Sequence, residues 1–435
     1  MTPVKKKNIN ESHILNEYNF RCHNDRIYQQ ILKGCVEMNI KNVVVAGGGV
    51  LGSQIAFQAA YSGFNVSIYD VNDKGIEAAK DRLEKLVPRY IEDLDAPEDK
   101  LKATVKSIQT STNLKEIVAD ADLVIEAIPE KLSIKQSFYK ELGEVAPEKT
   151  IFATNSSTLL PSDFKDATGR TDRFLALHFA NEIWLNNVGE IMATKDTDSA
   201  VFDEVVEYAG AMGLHPVPIK KEHAGYVQNS LLVPFFHVAE EMYANEEETP
   251  QEIDKIWMNA IRMNVGPFGA IDVVGLNTNT AIVQAEYEKD GTPWKKAYVD
   301  KNNVKIQNGE LGKATGKGFY TYPNPEYETW DIPVGEKPSD EHLQQAVAND
   351  NNGVLSKLLL SLFKAAEDLY VNEIADYDVI DTTWHIDSRS PIGPFEMMDA
   401  IGIDKVIEIH EKYDNNIDQD VMKFLESRRG KTFYS

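Results

Sequence analysis

The sequence predicts an α/β domain, a parallel sheet covered by helices on both faces, followed by two repeated all-α helical modules. Three observations predict it. From residue 41 to about 217 short apolar runs alternate with stretches of helical period. After Gly225 long helical stretches take over, separated by Pro and Gly turns. A shift of 127 positions then aligns 229–277 with 356–404 without a gap, and about a third of the positions are identical. Alternation of strands and helices argues for a parallel sheet with helices on both faces. A period this long is a duplicated unit, whereas solenoid repeats run ~20–50 residues.

In chain order, residues 1–37 are polar and irregular, with one helix-like stretch at 27–36, and read as an N-terminal extension; a lid or partner-binding arm is the alternative. The α/β domain spans 38–222. Its strands fall at 43–46, 66–69, 123–127, 150–154, 174–178 and 188–193, where apolar residues run together. Helical periodicity falls between them at 53–62, 74–87, 133–145 and 200–212. The first helical module covers 223–330, with helices at 226–246 and 251–263. The second covers 340–435, with a helix at 355–373. The stretch 323–340, with four prolines and no period, reads as a linker. Within the repeat, Ile253-Asp254 meets Ile380-Asp381, Trp257 meets Trp384, and Gly266-Pro267-Phe268 meets Gly393-Pro394-Phe395. Asp272 meets Asp399, and Gly275 meets Gly402. Asn229, by contrast, is replaced by Ser356, and neither a glycine fingerprint nor a His-Glu pair precedes the second copy, which reads as degenerate.

Length and charge narrow the function classes. At ~150 residues per domain, 435 residues allow two or three domains. With 45 Lys+Arg against 69 Asp+Glu, the formal charge is −24. Such a surface repels phosphate backbones and anionic lipid, which excludes nucleic acid and membrane as expected partners. Two cysteines, Cys22 and Cys35, stand in no metal-ligand spacing, so no metal site is expected and a reducing compartment is implied. No run approaches the ~18 apolar residues of a membrane helix. The basic N-terminus has no apolar stretch behind it, so a secretory signal is not expected either. The expected location is cytoplasmic.

The first strand runs into Gly47-Gly48-Gly49-Val50-Leu51-Gly52, a G-x-G-x-x-G pattern that opens a helix. The next strand, Val66-Ser67-Ile68-Tyr69, ends in Asp70. Together these form the dinucleotide fingerprint in its required context and make the first domain Rossmann-type. Gly47 permits the tight turn, Gly49 lets backbone approach a pyrophosphate, and Gly52 lets the helix pack on the strand. The helix N-terminus, at Val50 and Leu51, offers unpaired N–H groups to the anion. Asp70 is suited to accept hydrogen bonds from ribose hydroxyls and to repel a 2′-phosphate, and no basic residue stands at 71–73. NAD is therefore the expected cofactor. Lys74, Lys80, Arg82 and Lys85 follow on a helix that reads as a solvated face.

Farther along stand Thr154-Asn155-Ser156-Ser157-Thr158 at a strand end, Phe174-Leu175-Ala176-Leu177-His178-Phe179-Ala180-Asn181, and Glu190, twelve residues after His178. Gly225-Tyr226-Val227-Gln228-Asn229 opens the first long helix. Histidine has the pKa to take a hydroxyl proton near neutrality while hydride leaves the same carbon. A carboxylate partner orients its ring.

These motifs, with Glu126-Ala127-Ile128 and Glu130, the Gly-Pro-Phe turn, and Leu311-Gly312-Lys313-Ala314-Thr315-Gly316-Lys317-Gly318-Phe319-Tyr320, resemble the L-3-hydroxyacyl-CoA dehydrogenase family over about 40–322. The second helical module resembles the doubled C-terminal part of fatty-oxidation multifunctional enzymes. The resemblance implies NAD-dependent interconversion of L-3-hydroxyacyl-CoA and 3-oxoacyl-CoA in fatty acid or short-chain acyl metabolism. It makes His178 the general base and Glu190 its partner, with Ser157 and Asn229 hydrogen-bonding the substrate. It places Glu130, Lys135, Asn181 and Lys313 near the cofactor. Two alternatives stand beside it: a dehydrogenase of a small non-CoA 3-hydroxy acid (gulonate- or carnitine-like), and a non-catalytic NAD-binding module. The family usually reads His-Phe-Phe-Asn-Pro, whereas this chain has Ala180 and Glu182 in place of the second Phe and the Pro. The substrate is expected to be an acyl-CoA small molecule. The in-chain repeat is expected to replace a symmetric partner, giving a monomer.

Overall fold

The computed structural model describes residues 39–434; the N-terminal extension, with its helix-like stretch and both cysteines, lies outside the described residues. An eight-stranded sheet has the order β3-β2-β1-β4-β5-β6-β7-β8. Its strands are β1 (Asn42–Ala46), β2 (Asn65–Tyr69), β3 (Gln109–Ser111), β4 (Leu123–Glu126), β5 (Ile151–Thr154), β6 (Phe174–Phe179), β7 (Val188–Ala193) and β8 (His215–Ile219). The central strands β4, β5 and β6 are buried along their whole length because both faces are covered. Covering them are α1 (Val50–Tyr61), α2 (Asp73–Leu94), α3 (Glu98–Ser107), the short α4 (Leu114–Ile117), α5 (Leu132–Val145) and α6 (Ser199–Ala211).

One strand departs from the expected parallel sheet. β6 and β7 are antiparallel, with His178 directly opposite Glu190. Only residues 180–187 join them, and a parallel crossover needs a dozen residues or more. The sequence reading also passed over β3, α3, α4 and β8. In β8, Pro216 and Pro218 hide the strand; the sheet tolerates them because β8 is an edge strand paired only with β7.

The helical half begins with α7 (Gln228–Ala244), α8 (Pro250–Ile261), α9 (Pro267–Val274), α10 (Leu276–Asp290) and α11 (Pro293–Gln307). After a proline-rich strap it continues with α12 (Asp340–Ala348), α13 (Val354–Val371), α14 (Tyr377–Ser388), α15 (Pro394–Ile401), α16 (Ile403–Tyr413) and α17 (Gln419–Ser427). The strap contains one short 3₁₀ turn, Glu326–Thr329, and is fastened to the first module: the Gly335 N–H donates to the Arg262 carbonyl at 2.8 Å.

The repeat is visible bond by bond. Asp254 accepts the N–H groups of Phe268 and Gly269, both at 2.8 Å, and the Tyr320 hydroxyl at 2.9 Å. Asp381 accepts those of Phe395 at 2.8 Å and Glu396 at 3.0 Å, and the Tyr434 hydroxyl at 3.0 Å. Each aspartate thus caps the helix that its Gly-Pro-Phe turn starts, α9 or α15, where an anion is favoured. Arg262 and Arg389 close α8 and α14 in the left-handed conformation, with φ of 63° and 55°. The second copy reaches its closing tyrosine sooner because α16, α17 and the stretch after them are each shorter than α10, α11 and theirs.

One continuous apolar core joins the two modules and reaches the sheet through Ala176, Val188, Met192, Val217 and Ile219. α7 packs on α13, and α14 packs on both α7 and β7. Lys220 and Lys221, just after β8, pair with Asp376 at 2.6 Å and Glu373 at 2.7 Å on the α13–α14 connection. The second module therefore contacts the sheet as well as the first module. No helix among the described residues is long and apolar enough to cross a membrane.

Candidate active site

The site forms where the C-terminal ends of β1, β2, β4, β5 and β6 meet the N-terminus of α7. Gly47, at φ 108°, turns the chain out of β1. A Cβ there would lie 2.4 Å from the Ala127 carbonyl oxygen, and one on Gly52 would lie 1.9 Å from that of Gly47. Only glycine allows strand, turn and helix to approach so closely. Above Gly49 the space is open, and no side chain caps α1. The amides at Val50 and Leu51 therefore face an open, positively polarised cradle that suits a pyrophosphate.

Asp70 ends β2 beside this cradle. Its carboxylate accepts the Gly48 N–H at 2.9 Å and the Val71 N–H at 2.8 Å, which holds it at the loop where a ribose would lie. Arg82, expected on a solvated face, instead turns inward and donates to the Gly48 carbonyl at 2.9 Å.

β4 ends in Glu126, which is fully buried. It accepts the Lys135 ammonium at 2.6 Å, the Ile128 N–H at 3.0 Å and the Thr154 hydroxyl at 2.8 Å. Lys135 is buried too and reaches Glu130 at 3.2 Å. Glu130 gathers the turn after β5: one of its oxygens accepts the Ser156 hydroxyl at 2.5 Å and the backbone N–H groups of Ser157 at 3.1 Å and Thr158 at 2.9 Å. Burial works to raise its pKa, but these bonds and Lys135 outweigh it and hold the carboxyl at about 2. Two residues expected near the cofactor, buried Lys135 and exposed Glu130, are thus placed as an ion pair that shapes the Ser156-Ser157 turn.

That turn delivers Ser157 to His178. The Ser157 hydroxyl lies 3.0 Å from His178 Nε2, and Nδ1 lies 2.8 Å from Glu190 Oε2. His178 and Glu190 face each other across the β6–β7 ladder, and both are buried. The other Glu190 oxygen accepts the N–H groups of Val227 and Gln228, both at 2.9 Å. The carboxylate is therefore clamped at the positive end of α7. Tyr226, at φ 54°, stacks its ring on His178 with centroids 4.4 Å apart and planes 11° apart. Its hydroxyl donates to the Ser156 carbonyl at 2.7 Å. Asn229 follows, half-buried, in the first turn of α7.

Asn181 is exposed on the loop after β6, where its carbonyl accepts the Asn186 side-chain amide at 2.7 Å. Lys313 is exposed on the turn packed against α9 and is not brought into this network. The departure from His-Phe-Phe-Asn-Pro has a backbone reason. Glu182 sits at φ 58° and donates its N–H to Gln54 at 2.8 Å, and proline can do neither. Its carboxylate pairs with Arg89 at 2.7 Å. Sequence reading gave no role to three residues within its motifs: Tyr226, the buried Glu126, and Asn155, whose side-chain oxygen accepts the Phe179 N–H at 3.0 Å. Of these, Glu126 had a signal: an acidic residue ending an otherwise apolar strand.

The chain matches the model of the 3-hydroxyacyl-CoA dehydrogenase NAD binding domain over residues 42–223. It matches the C-terminal domain of the same enzymes twice, over 225–322 and 354–430. It belongs to the 3-hydroxyacyl-CoA dehydrogenase family. As a member it is an NAD-dependent oxidoreductase, and the second match shows that the duplicated module is a second copy of the family's helical domain. It is 35% identical over 291 residues to the mitochondrial hydroxyacyl-coenzyme A dehydrogenase of Homo sapiens, spanning 65% of this chain and 91% of that one. A probable 3-hydroxybutyryl-CoA dehydrogenase of Bacillus subtilis (strain 168) is 32% identical over 286 residues, spanning 66% and 98%. A solved diketoreductase, described for substrate-directed dual catalysis of dicarbonyl compounds, is 47% identical with a TM-score of 0.62, covering 66% of this chain and all of its own. The Escherichia coli 3-hydroxybutyryl-CoA dehydrogenase, at 19% identity, shares the fold across 90% of this chain and 98% of its own, with a TM-score of 0.70.

Proposed function

We propose that the chain oxidises the 3-hydroxyl of an L-3-hydroxyacyl-CoA, and reduces the corresponding 3-oxoacyl-CoA, with His178 as general base. The observation that carries this reading is the line Ser157–His178–Glu190 beside the glycine cradle. The Glu190 carboxylate accepts a proton-bearing Nδ1, which leaves the Nε2 lone pair facing Ser157 and the substrate hydroxyl. Nε2 takes the hydroxyl proton as the C3–H bond breaks. NAD, when bound, accepts the hydride. The imidazolium so formed is flanked by a carboxylate that two α7 amides keep from moving. Ser157 and Asn229 hydrogen-bond the substrate oxygen, where charge changes most during the reaction. Gly47, Gly49, Val50, Leu51, Gly52 and Asp70 hold the dinucleotide, with Asn181 at its margin. Glu130 and Lys135 act by shaping the turn. The reading places the enzyme in the cytoplasm, as a monomer, in acyl-chain metabolism.

The likeness to the diketoreductase supports a second reading, a small non-CoA dicarbonyl substrate. NADH oxidation with acetoacetyl-CoA, free acetoacetate, a simple diketone and a 3-dehydro sugar acid separates the two. The first reading expects kcat/KM for acetoacetyl-CoA to exceed the others at least tenfold. A free carbonyl compound turned over as well as the thioester overturns it.

A further inference from the structure

The chain passes from the sheet to the helical modules through Gly225 and Tyr226, both left-handed, at φ of 87° and 54°. Glycine adopts that conformation freely, whereas an aromatic residue does so only where its surroundings over-determine it. The chain contains its own comparison. Carrying the shift of 127 positions three residues back from Asn229 aligns Val227 with Val354 and Tyr226 with Gly353. Gly353 stands in the turn before α13 at φ 76°, as Tyr226 does before α7. The second copy makes this turn with the residue that suits it. The first copy makes it with one that does not, and the reason lies in the side chain.

That side chain has two contacts, one at each end of the Ser157–His178 hydrogen bond. Its ring, 1% exposed, stacks on His178 with centroids 4.4 Å and planes 11° apart. Its hydroxyl donates to the Ser156 carbonyl at 2.7 Å, and the next residue, Ser157, lies 3.0 Å from His178 Nε2. One rigid ring thus spans β6 and the turn after β5, the two elements that must meet for that bond to form. The amides that follow it, at Val227 and Gln228, hold Glu190 at the opposite ring nitrogen. Burial first, and then the charges of Glu190, Glu130, Glu126 and Glu222, hold the Tyr226 hydroxyl well above its ordinary pKa, so it stays protonated and donates. Lys135 pairs with Glu126 and Glu130. The stack also has an electrostatic sense. An aromatic face is negative and attracts a cation above it, so this ring favours imidazolium over imidazole.

We propose that Tyr226 is a positioning residue of the active site, whose ring and hydroxyl together hold the His178 ring and the Ser157 turn in register and whose face stabilises the imidazolium. It rests on the reading of His178 as the general base. With one face of the imidazole covered and both nitrogens bonded, the base keeps one orientation between turnovers. The proton it takes on oxidation, or gives up on reduction, then stands at Nε2.

Variants of the full chain test this: Tyr226→Phe, Tyr226→pentafluorophenylalanine, Tyr226→Leu and His178→Gln. Each is read as kcat and KM for NADH oxidation with the best of the four carbonyl compounds named above, the pH profile of kcat, NADH binding by fluorescence, and Tm. In this direction the imidazolium gives up its proton, so kcat falls with rising pH along a limb that His178→Gln should remove. Tyr226→Phe keeps the stack and frees the Ser156 carbonyl; kcat should fall about threefold to tenfold with the limb in place. Pentafluorophenylalanine keeps that shape and inverts the charge of the face. Relative to Tyr226→Phe its limb should move to lower pH by about half a pH unit or more. Tyr226→Leu removes both contacts; kcat should fall roughly thirtyfold or more, with the limb moved the same way and NADH still bound. If Tyr226→Leu does not fold, the two aromatic variants, of one shape, decide alone. A limb that pentafluorophenylalanine leaves in place overturns the proposal, as does an unchanged kcat in Tyr226→Phe. A loss in Tyr226→Leu that follows Tm with the limb unmoved makes the residue structural and overturns it too. If His178→Gln itself leaves kcat and the limb unchanged, the base has been misread and the proposal falls with it.

Discussion

His178 has a different neighbour on each ring nitrogen. Nδ1 meets a buried carboxylate and Nε2 meets a hydroxyl at the mouth of the site. Replacing His178 with Gln should lower kcat by ~10²–10⁴-fold, the usual cost of losing a general base, while NADH still binds in a fluorescence titration. Glu190→Gln should follow the same pattern to a lesser degree. Parallel loss of NADH binding would mean that the pair is structural. Asp70 carries a separate prediction. Its carboxylate holds the Gly48 and Val71 amides and so stands fixed beside the cradle. A hydrogen bond to a charged group is worth about 1.5–3 kcal/mol, so Asp70→Ser should lower the NAD/NADP ratio of kcat/KM roughly tenfold or more. Steady-state kinetics with both cofactors checks this, and an unaltered ratio removes Asp70 from the ribose site. His178, Glu190 and Asp70 were legible because Asp70 follows the second strand of the glycine motif and Glu190 stands twelve positions after His178. Tyr226 was not, because its place over the His178 ring depends on a left-handed turn.

Among the elements, the joint between β4 and α5 is the most tightly specified. Glu126 and Lys135 are both buried and lie 2.6 Å apart, and Thr154 from β5 completes the carboxylate's shell. Removing one partner of a buried ion pair strands the other, at about 3–5 kcal/mol. Lys135→Met should therefore destabilise by about that amount in a urea titration. Glu126→Gln/Lys135→Met should recover most of it. A near-neutral Lys135→Met would place the joint's strength in apolar packing instead. Because Lys135 also supports Glu130, the single variant should loosen the Ser156-Ser157 turn and raise KM for substrate. At this scale the sequence announced six of the eight strands described, and seven of the seventeen helices, through their periods. It concealed β8 behind two prolines, and it concealed the reversal at β7 because an apolar run carries no direction. The shortness of 180–187 was the available clue.

Across the whole molecule, one apolar core runs from the face of β6–β8 through α7 and α13 into both modules. Ending the chain after Gly335 would uncover the α7 face that α13 now buries. The truncated chain should dimerise, aggregate or lose activity, and light scattering beside an activity assay decides it. A stable, active, monomeric truncate would show that the second module does not serve as the first one's partner. The duplication itself was plain in the sequence, since Trp, Gly-Pro-Phe and Asp recur at one fixed shift. That the second copy also touches the catalytic strand was not, because no motif marks the ion pairs from Lys220 and Lys221. A pair of identical chains related by a two-fold axis must carry every substitution twice, once on each side. Joined in one chain, the halves are free of that rule. Glu240 meets Asn279 in the first copy, while its counterpart Glu367 meets His410 in the second. An alanine can stand in one half where an acid stands in the other. Covalent duplication thus turns a symmetry-bound interface into two surfaces that selection edits independently.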